Sequence, residues 1–304
     1  MTAPRVSIVT ATYNRGNVLR FTIEAVRAQT FTDWEMIVVG DACTDDTEQV
    51  VQSFGDPRIH FVNLPENSGE QSVPNNEGIR RARGEYVALL NHDDLWTRDH
   101  LETCLEAIGD ADFVSTALIL IYGGGPHLEG VCPNGRYEPQ VIIPASAWLM
   151  RRELAVALPW RRAREIWLMP SQDWLFRASK RGARMRGVAK ATVLALPSAA
   201  RARSYSDRPD AEHAHYAELL RSDPDLVPRL LAQVAMEATA ERNGATARAM
   251  LARALRIIAR HALLALGVHP HVPHYLLEFR RKGGIVESAH KRRGLPPLPK
   301  RRTT

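Results

Sequence analysis

The chain has 304 residues, 45% of them hydrophobic and 24% charged, which is enough for a sizeable core without covalent staples. Its three cysteines, Cys43, Cys104 and Cys132, lie far apart and form no Cys-x-x-Cys pair, which argues against a disulfide framework or a zinc cluster. The formal charge of +6 is uneven: residues 280–304 hold nine Lys/Arg against Glu287 alone, so the remainder sits near −2 and no nucleic-acid footprint is indicated over the core.

The first residues lack the basic stretch and apolar core of a secretory signal and pass directly into a strand, so a cytoplasmic protein is expected. Residues 6–11 read as a buried first strand, and a helix follows from about Asn17 with Leu19, Ile23 and Val26 on one face. Residues 34–39 form the next strand. The polar run from Asp41 to Asp46 opens a helix burying Val50, Val51 and Phe54, its acidic first turn suiting the positive end of the helix dipole. A third strand over 59–62 leads through Gly69 into a helix ending near Arg83, and a fourth over 86–90 runs into Asn91-His92-Asp93-Asp94.

The rhythm then changes. Residues 113–122 are β-rich, the glycines at 123–125 break them, and 131–141 read as a loop or hairpin on the side of a second substrate. Helices are expected over 146–154 and 172–180, with a strand-like stretch over 185–196 between the second of these and a run of helices from Asp207. In the last long helix, over 247–264, Leu251, Leu255, Ile258 and Ala262 share one face, opposite Arg253, Arg256 and Arg260. Those arginines also interrupt the most apolar stretch, so no membrane span is expected.

Alternating strands and helices predict an α/β fold with a mainly parallel sheet, whose ligands sit beyond the carboxyl ends of the strands. Three polar clusters occupy such ends: Thr12-Tyr13-Asn14-Arg15, Asp41 with Asp45 and Asp46, and Asn91 to Asp94. An aspartate after a strand is commonly a cap or turn residue, so a cap at Asp93 for a helix beginning near Thr97 stays open. Adjacent carboxylates such as Asp93 and Asp94 repel, however, and a divalent cation relieves that repulsion while binding phosphate oxygens. The glycine-rich turn of dinucleotide-binding proteins and the Gly-Lys-Ser/Thr phosphate loop are both missing.

Taken together with Asn67-Ser68-Gly69, the run from Gly84 to Asp94 and Ser171-Gln172-Asp173-Trp174, the clusters make the chain resemble family 2 of the glycosyltransferases across roughly residues 5–205. The resemblance implies a GT-A fold with a helical C-terminal region, and an enzyme that moves a sugar with inversion from a nucleotide-diphosphate sugar, first of all a UDP-sugar, to a hydroxyl of a glycan, lipid-linked or small acceptor. It implies Thr12, Tyr13, Asp41, Asn76 and Asp93 at the donor, Asp94 with Asp93 at Mn²⁺ or Mg²⁺, and Asp173 as the base that deprotonates the acceptor. The chain departs from the family pattern at Gly40, Asn75 and Asn91. A sugar-nucleotide binder without activity and a nucleotidyltransferase are the competing readings.

The expected organisation is a catalytic domain over 1–206, a helical region over 207–279 and a basic, proline-containing tail over 280–304 that gives weak peripheral contact with the inner face of a membrane. Arg201, Arg203 and Tyr205 follow the last core strand, where an arginine is a candidate for gripping the departing diphosphate. His213 and His215, at i and i+2 on a helix, do not share a face for one metal.

Overall fold

A computed structural model describes residues 3–122, 125–198, 203–243, 247–282 and 291. Strands β1 (Val6–Thr12), β2 (Trp34–Gly40), β3 (Ile59–Asn63) and β4 (Tyr86–Leu89) alternate with helices α1 (Gly16–Arg27), α2 (Thr47–Ser53) and α3 (Ser72–Arg81). Next come β5 (Asp94–Trp96), α4 (His100–Ile108), β6 (Phe113–Tyr122), β7 (Gly125–Glu129), β8 (Trp148–Arg151), α5 (Arg152–Ala157), α6 (Pro170–Lys180) and β9 (Met185–Ala195). Helices α7 (Ala211–Ser222), α8 (Leu226–Asn243), α9 (Ala247–Ala265) and α10 (Val272–Lys282) complete the described chain.

The strands form one sheet in the order β3-β2-β1-β4-β8-β6-β9-β5, with β7 hydrogen-bonded to β6. The first four are parallel, as the alternating pattern requires. Beyond β4 the sheet is mixed: β8 runs antiparallel to β4 and β6, β9 runs parallel to β6, and β5 runs antiparallel to β9. The expectation of a mainly parallel sheet therefore holds for its first half.

Two local expectations are corrected. The helix expected over 146–154 is a single 3-10 turn at Ala145–Ala147, then strand β8, then the short α5. An apolar run such as Trp148-Leu149-Met150 suits either element, and pairing with β4 and β6 decides for strand. The helix expected near Thr97 begins at His100 instead, because Asp94–Trp96 pairs with Val193–Ala195 as β5.

Trp148, Trp160, Trp174 and Phe113 pack with ring centroids 5.3–6.0 Å apart, fixing α6 and the loop before it against β6 and β8. A second cluster places Leu226 of α8 against Leu95, Ile119, Ile121 and Leu194 of the sheet, with Leu219 and Leu220 of α7 beside it. The first two C-terminal helices thus share a core with the residues before position 206.

At the other end of β1, Ser7 Oγ donates to Glu35 at 2.7 Å, and Arg83 donates to the same carboxylate from its backbone at 2.9 Å and from its guanidinium at 2.6 and 2.8 Å. Burial opposes the charge of Glu35, yet the bonds from Arg83 and Ser7 hold its carboxyl below the usual range. The network requires Gly84, whose N–H donates to Ser7 Oγ at 2.8 Å; a Cβ there would meet the backbone of Val6 and Ser7 at 2.7–2.9 Å. Gly84→Ala is therefore expected to cost about 1–3 kcal/mol, the range for overpacking against atoms that cannot move aside. Urea denaturation with an unchanged midpoint would remove this account of the corner.

Candidate functional site

The carboxyl ends of β1, β2 and β4 lie side by side, and the three polar clusters leave the sheet there. Asn14 laces the first two together: its Oδ1 accepts from the Thr44 backbone at 2.7 Å, and its Nδ2 donates to Thr44 Oγ1 at 3.2 Å. Asn63 supports the same loop from β3, accepting from Cys43 N at 2.8 Å and donating to Cys43 O at 2.9 Å. It also explains the glycine at position 40, since a Cβ there would stand 2.5 Å from Asn63 Oδ1. Ala42, at φ 58°, holds a left-handed conformation that a Cβ disfavours, so the turn after Asp41 is maintained by its surroundings.

Asp41 is buried and accepts from the Ser68 and Gly69 backbone at 2.8 and 2.9 Å, one bond to each oxygen. Burial raises its pKa despite these bonds. Thr12 Oγ1 is buried beside it and has no hydrogen-bond partner among the described residues, while Thr12 O accepts from Asp41 N at 2.8 Å. Tyr13 is half-buried and its ring stacks against Tyr205, centroids 6.3 Å apart.

The cluster after β4 divides its two aspartates. Asp94 is 2% exposed, and both its oxygens are engaged: Oδ1 accepts from Leu196 N at 3.1 Å, Oδ2 from Asn91 Nδ2 at 2.9 Å and from the Ser146 hydroxyl. Thr22 of α1 supports the loop from below, donating to the carbonyls of His92 and Asp94, each at 3.0 Å. Among the described residues Asp93 takes one hydrogen bond, from Ser198 N to Oδ2 at 2.6 Å, and His92 Nε2 stands 3.9 Å from the same oxygen. His92 Nδ1 donates to Ala11 O at 3.1 Å, which fixes the ring over the end of β1.

The pair shares an electrostatic conflict. Burial and the adjacent Asp93 push Asp94 up to about 7. Burial also opposes ionisation of Asp93, but His92, Ser198 and His213 outweigh it and hold Asp93 below the ordinary range. His213, buried on α7, thus takes part electrostatically. Asp93 is the carboxylate whose bonding leaves room for a cation carrying phosphate oxygens, and one protein carboxylate suffices for Mg²⁺ or Mn²⁺ bound mainly by a diphosphate. No group of three or more His, Cys, Asp or Glu suited to a metal occurs among the described residues. A metal here fits only as one shared with the donor.

Asp173 lies in the first turn of α6, 7% exposed. Its Oδ2 accepts from Arg177 Nε at 2.7 Å, and its Oδ1 faces Arg161 NH1 at 3.8 Å. Arg177 also donates to Pro159 O at 2.8 Å, and Trp174 Nε1 to Leu158 O at 2.6 Å, so the loop at 158–163 is tied to the helix on both sides of Asp173. The amide of Asn76 is spent on that loop, donating to Trp160 O at 2.9 Å and accepting from Trp160 N at 2.8 Å. Glu70 accepts from Ala163 N and pairs with Arg162 at 3.5 Å. Asn76 therefore ties α3 to the loop that carries Arg161 beside Asp173.

The segment after β9 closes over the same end of the sheet. Arg15, buried, donates to Ser204 O and lies 5.4 Å from the Tyr205 ring centroid. Asn17 Nδ2 donates to Arg208 O at 2.7 Å, and Arg208 pairs with Asp45 and Asp46 at 2.9 and 2.7 Å. Arg203 pairs with Asp207 at 3.1 Å, and the Tyr205 hydroxyl is 3.5 Å from His92 Nε2. Arg201 and most of the basic tail fall outside the described residues. Ser146, Ser198 and Thr22 escape sequence reasoning because no motif links them to Asp93 and Asp94, from which Ser198 is separated by about a hundred residues.

Residues 7–152 match the model of glycosyl transferase family 2. Over 105 residues the chain is 44% identical to TuaG of Bacillus subtilis (strain 168), a glycosyltransferase named for teichuronic acid biosynthesis, covering 34% of this chain and 41% of that protein. It is 36% identical over 104 residues to WcaA of Escherichia coli (strain K12), named for colanic acid biosynthesis, covering 34% and 37%. The matched segment thus spans less than half the length of these relatives. Among solved structures, Staphylococcus aureus TarS 1-349 in complex with UDP-GlcNAc aligns with a TM-score of 0.56 at 20% identity, over 63% of this chain and 58% of that one. The mannosyltransferase PcManGT of Pyrobaculum calidifontis, in complex with GDP-Man and Mn²⁺, aligns at 0.53 and 18% identity, over 96% and 88%. With the parallel β1–β4 half-sheet and its strand-end carboxylates, these matches identify residues 7–152 as a glycosyl transferase family 2 domain on a GT-A fold.

Proposed function

We propose that the protein transfers a sugar, with inversion, from a nucleotide-diphosphate sugar to an acceptor hydroxyl. The observation that carries this reading is the placement of Asp41 and Asp93 after the two strands that flank β1, one carboxylate suited to a base N–H and the other to a diphosphate-bound cation. Thr12 and Tyr13 flank the base. Asp93, backed by the buried Asp94, would hold Mn²⁺ or Mg²⁺, which supplies charge neutralisation for the departing nucleoside diphosphate.

Asp173 is the proposed general base. The acceptor oxygen bonds to the anomeric carbon as the bond from that carbon to the diphosphate oxygen breaks. The hydroxyl proton passes to Asp173, and the bonding pair leaves with the nucleoside diphosphate. A UDP-sugar is the first candidate donor, supported by the UDP-GlcNAc complex of a protein sharing the fold. A glycan acceptor fits relatives named for teichuronic and colanic acid biosynthesis. No helix among the described residues is long and apolar enough to cross a membrane.

The ion pair of Asp173 with Arg177 favours a second reading, a sugar-nucleotide binder in which Asp173 is structural. Both readings are tested by incubating the protein with UDP-, GDP- and dTDP-sugars and Mn²⁺ or Mg²⁺, reading release of free nucleoside diphosphate and calorimetric binding. Transfer predicts slow, metal-dependent release from one donor. Binding without release in the presence of acceptor extracts favours the binder, and neither binding nor release from any donor removes both.

A further inference from the structure

A soluble amphipathic helix ordinarily turns its apolar face to the core. Helix α9 does not. Leu251, Leu255 and Ile258, which recur at i, i+4 and i+7, are 63%, 58% and 66% exposed. Ala262 continues the face and is exposed as well. Leu266, 77% exposed, follows in the turn after the helix, and Leu277 of α10 is also exposed. The helix is held at its C-terminal end: Lys180 Nζ donates to Gly267 O at 2.8 Å, and His269 packs edge-on against Phe176, ring centroids 5.0 Å apart. The exposed face therefore belongs to an element anchored on the body of the protein.

The charge of α9 selects what covers that face. Ala247–Ala265 contains four arginines and no acidic residue. Arg253 and Arg256, both exposed, lie on the opposite side from Leu251 and Leu255 at about 100° per residue. A second copy meeting this face across a two-fold axis would cover the leucines but leave the arginines of both helices facing outward with no acid of α9 to pair them. An anionic lipid surface satisfies both features: the leucines and isoleucine enter the acyl boundary, while the arginines stay at the headgroups. The sequence beyond position 282 adds six further Lys/Arg against one Glu, which strengthens attraction to the same surface.

We infer that α9 is an interfacial helix that docks the protein on anionic membranes, laying Leu251, Leu255 and Ile258 into the bilayer surface. The docking does not depend on the catalytic reading, and it is distinct from anchoring by the basic tail alone, because the apolar face supplies a component that salt does not screen.

The test is flotation of the full-length protein with vesicles of phosphatidylcholine alone and with 30% phosphatidylglycerol, at low and physiological salt. The wild type is expected to float with the anionic vesicles at both salts and to remain unbound with phosphatidylcholine. Leu255→Glu with Ile258→Glu, which alters exposed positions and leaves the tail intact, is expected to lower partitioning at least tenfold at physiological salt, with an unchanged melting temperature. Arg253→Gln with Arg256→Gln is expected to lower it several-fold and to flatten its salt dependence. Flotation of the Glu variant equal to wild type overturns the proposal in favour of the tail. A wild type that sediments as a dimer without floating, and a Glu variant that sediments as a monomer, overturn it in favour of a second copy.

Discussion

Asp93→Ala is expected to reduce sugar transfer by roughly 10³-fold or more, the loss that follows when several kcal/mol of charge stabilisation at the leaving group disappears. The fold is expected to survive, because among the described residues the buried Asp93 carboxylate accepts a hydrogen bond from Ser198 alone. Asp94→Ala removes the acceptor for Leu196 N, Asn91 Nδ2 and the Ser146 hydroxyl, so its first effect is on stability, about 1–3 kcal/mol for a buried N–H left unsatisfied. The two substitutions thus separate the carboxylate proposed to face the donor from the one proposed to support it. Turnover and melting temperature measured on both variants decide the matter: full activity in Asp93→Ala would end the assignment, and an undisturbed melting temperature in Asp94→Ala would return that residue to direct metal binding.

The conflict between the two aspartates also gives a signature in pH. Asp94 holds its proton more tightly in the folded chain than in the unfolded one, since burial and the charge of Asp93 both oppose its ionisation. The folded state is therefore undisturbed by Asp94 below the unfolded carboxylate value of about 4, and stability is lost as the pH climbs from there through about 7. Asp93, depressed by His92, Ser198 and His213 against its burial, contributes in the opposite sense: its stabilisation is present at neutral pH and lost in acid. In metal-free buffer, the melting temperature of the wild type relative to Asp94→Asn is expected to fall from about pH 4 to about pH 7 and to level off above. Added Mn²⁺ with nucleoside diphosphate is expected to narrow the gap, because a cation offsets the repulsion.

The strand ends were legible because a buried parallel strand is a short apolar run whose polar residues begin where the strand stops. Thr12, Asp41 and Asp93 could therefore be placed from their neighbours alone, and Asp173 from the resemblance. What could not be read depends on long-range pairing. Asp94 looks like a second free carboxylate until Leu196 and Ser146 arrive from other parts of the sheet. Trp148-Leu149-Met150 carries no period that separates strand from helix, and pairing with β4 and β6 makes the choice. The two hydrogen bonds of the Asn76 amide with Trp160, eighty-four residues away, have no local signal either. The apolar face of α9 was legible as a face, but its exposure was not, because periodicity reports which residues share a side and says nothing of what covers it.

Asp173→Asn is expected to lower kcat by roughly 10²-fold or more, the scale of a missing general base, while leaving the donor's KM within a few-fold of wild type. The substitution is suited to the question because asparagine keeps the shape of the side chain and one oxygen for the bond from Arg177 Nε, now 2.7 Å long. If Asp173 served only to fasten α6 to the loop at 158–163 through Arg177 and Arg161, its replacement would loosen that loop. The consequence would be a lower melting temperature and a raised acceptor KM, with kcat largely retained. Arg177→Lys supplies the matching control, since it weakens the fastening and leaves the carboxylate in place, and it is expected to cost stability without the 10²-fold fall in kcat. Rate constants for the two variants at saturating donor and acceptor, beside calorimetric donor affinities, distinguish the roles: equal losses of kcat in both would assign Asp173 to the scaffold, whereas a loss confined to Asp173→Asn, with donor affinity intact, assigns it the acceptor proton.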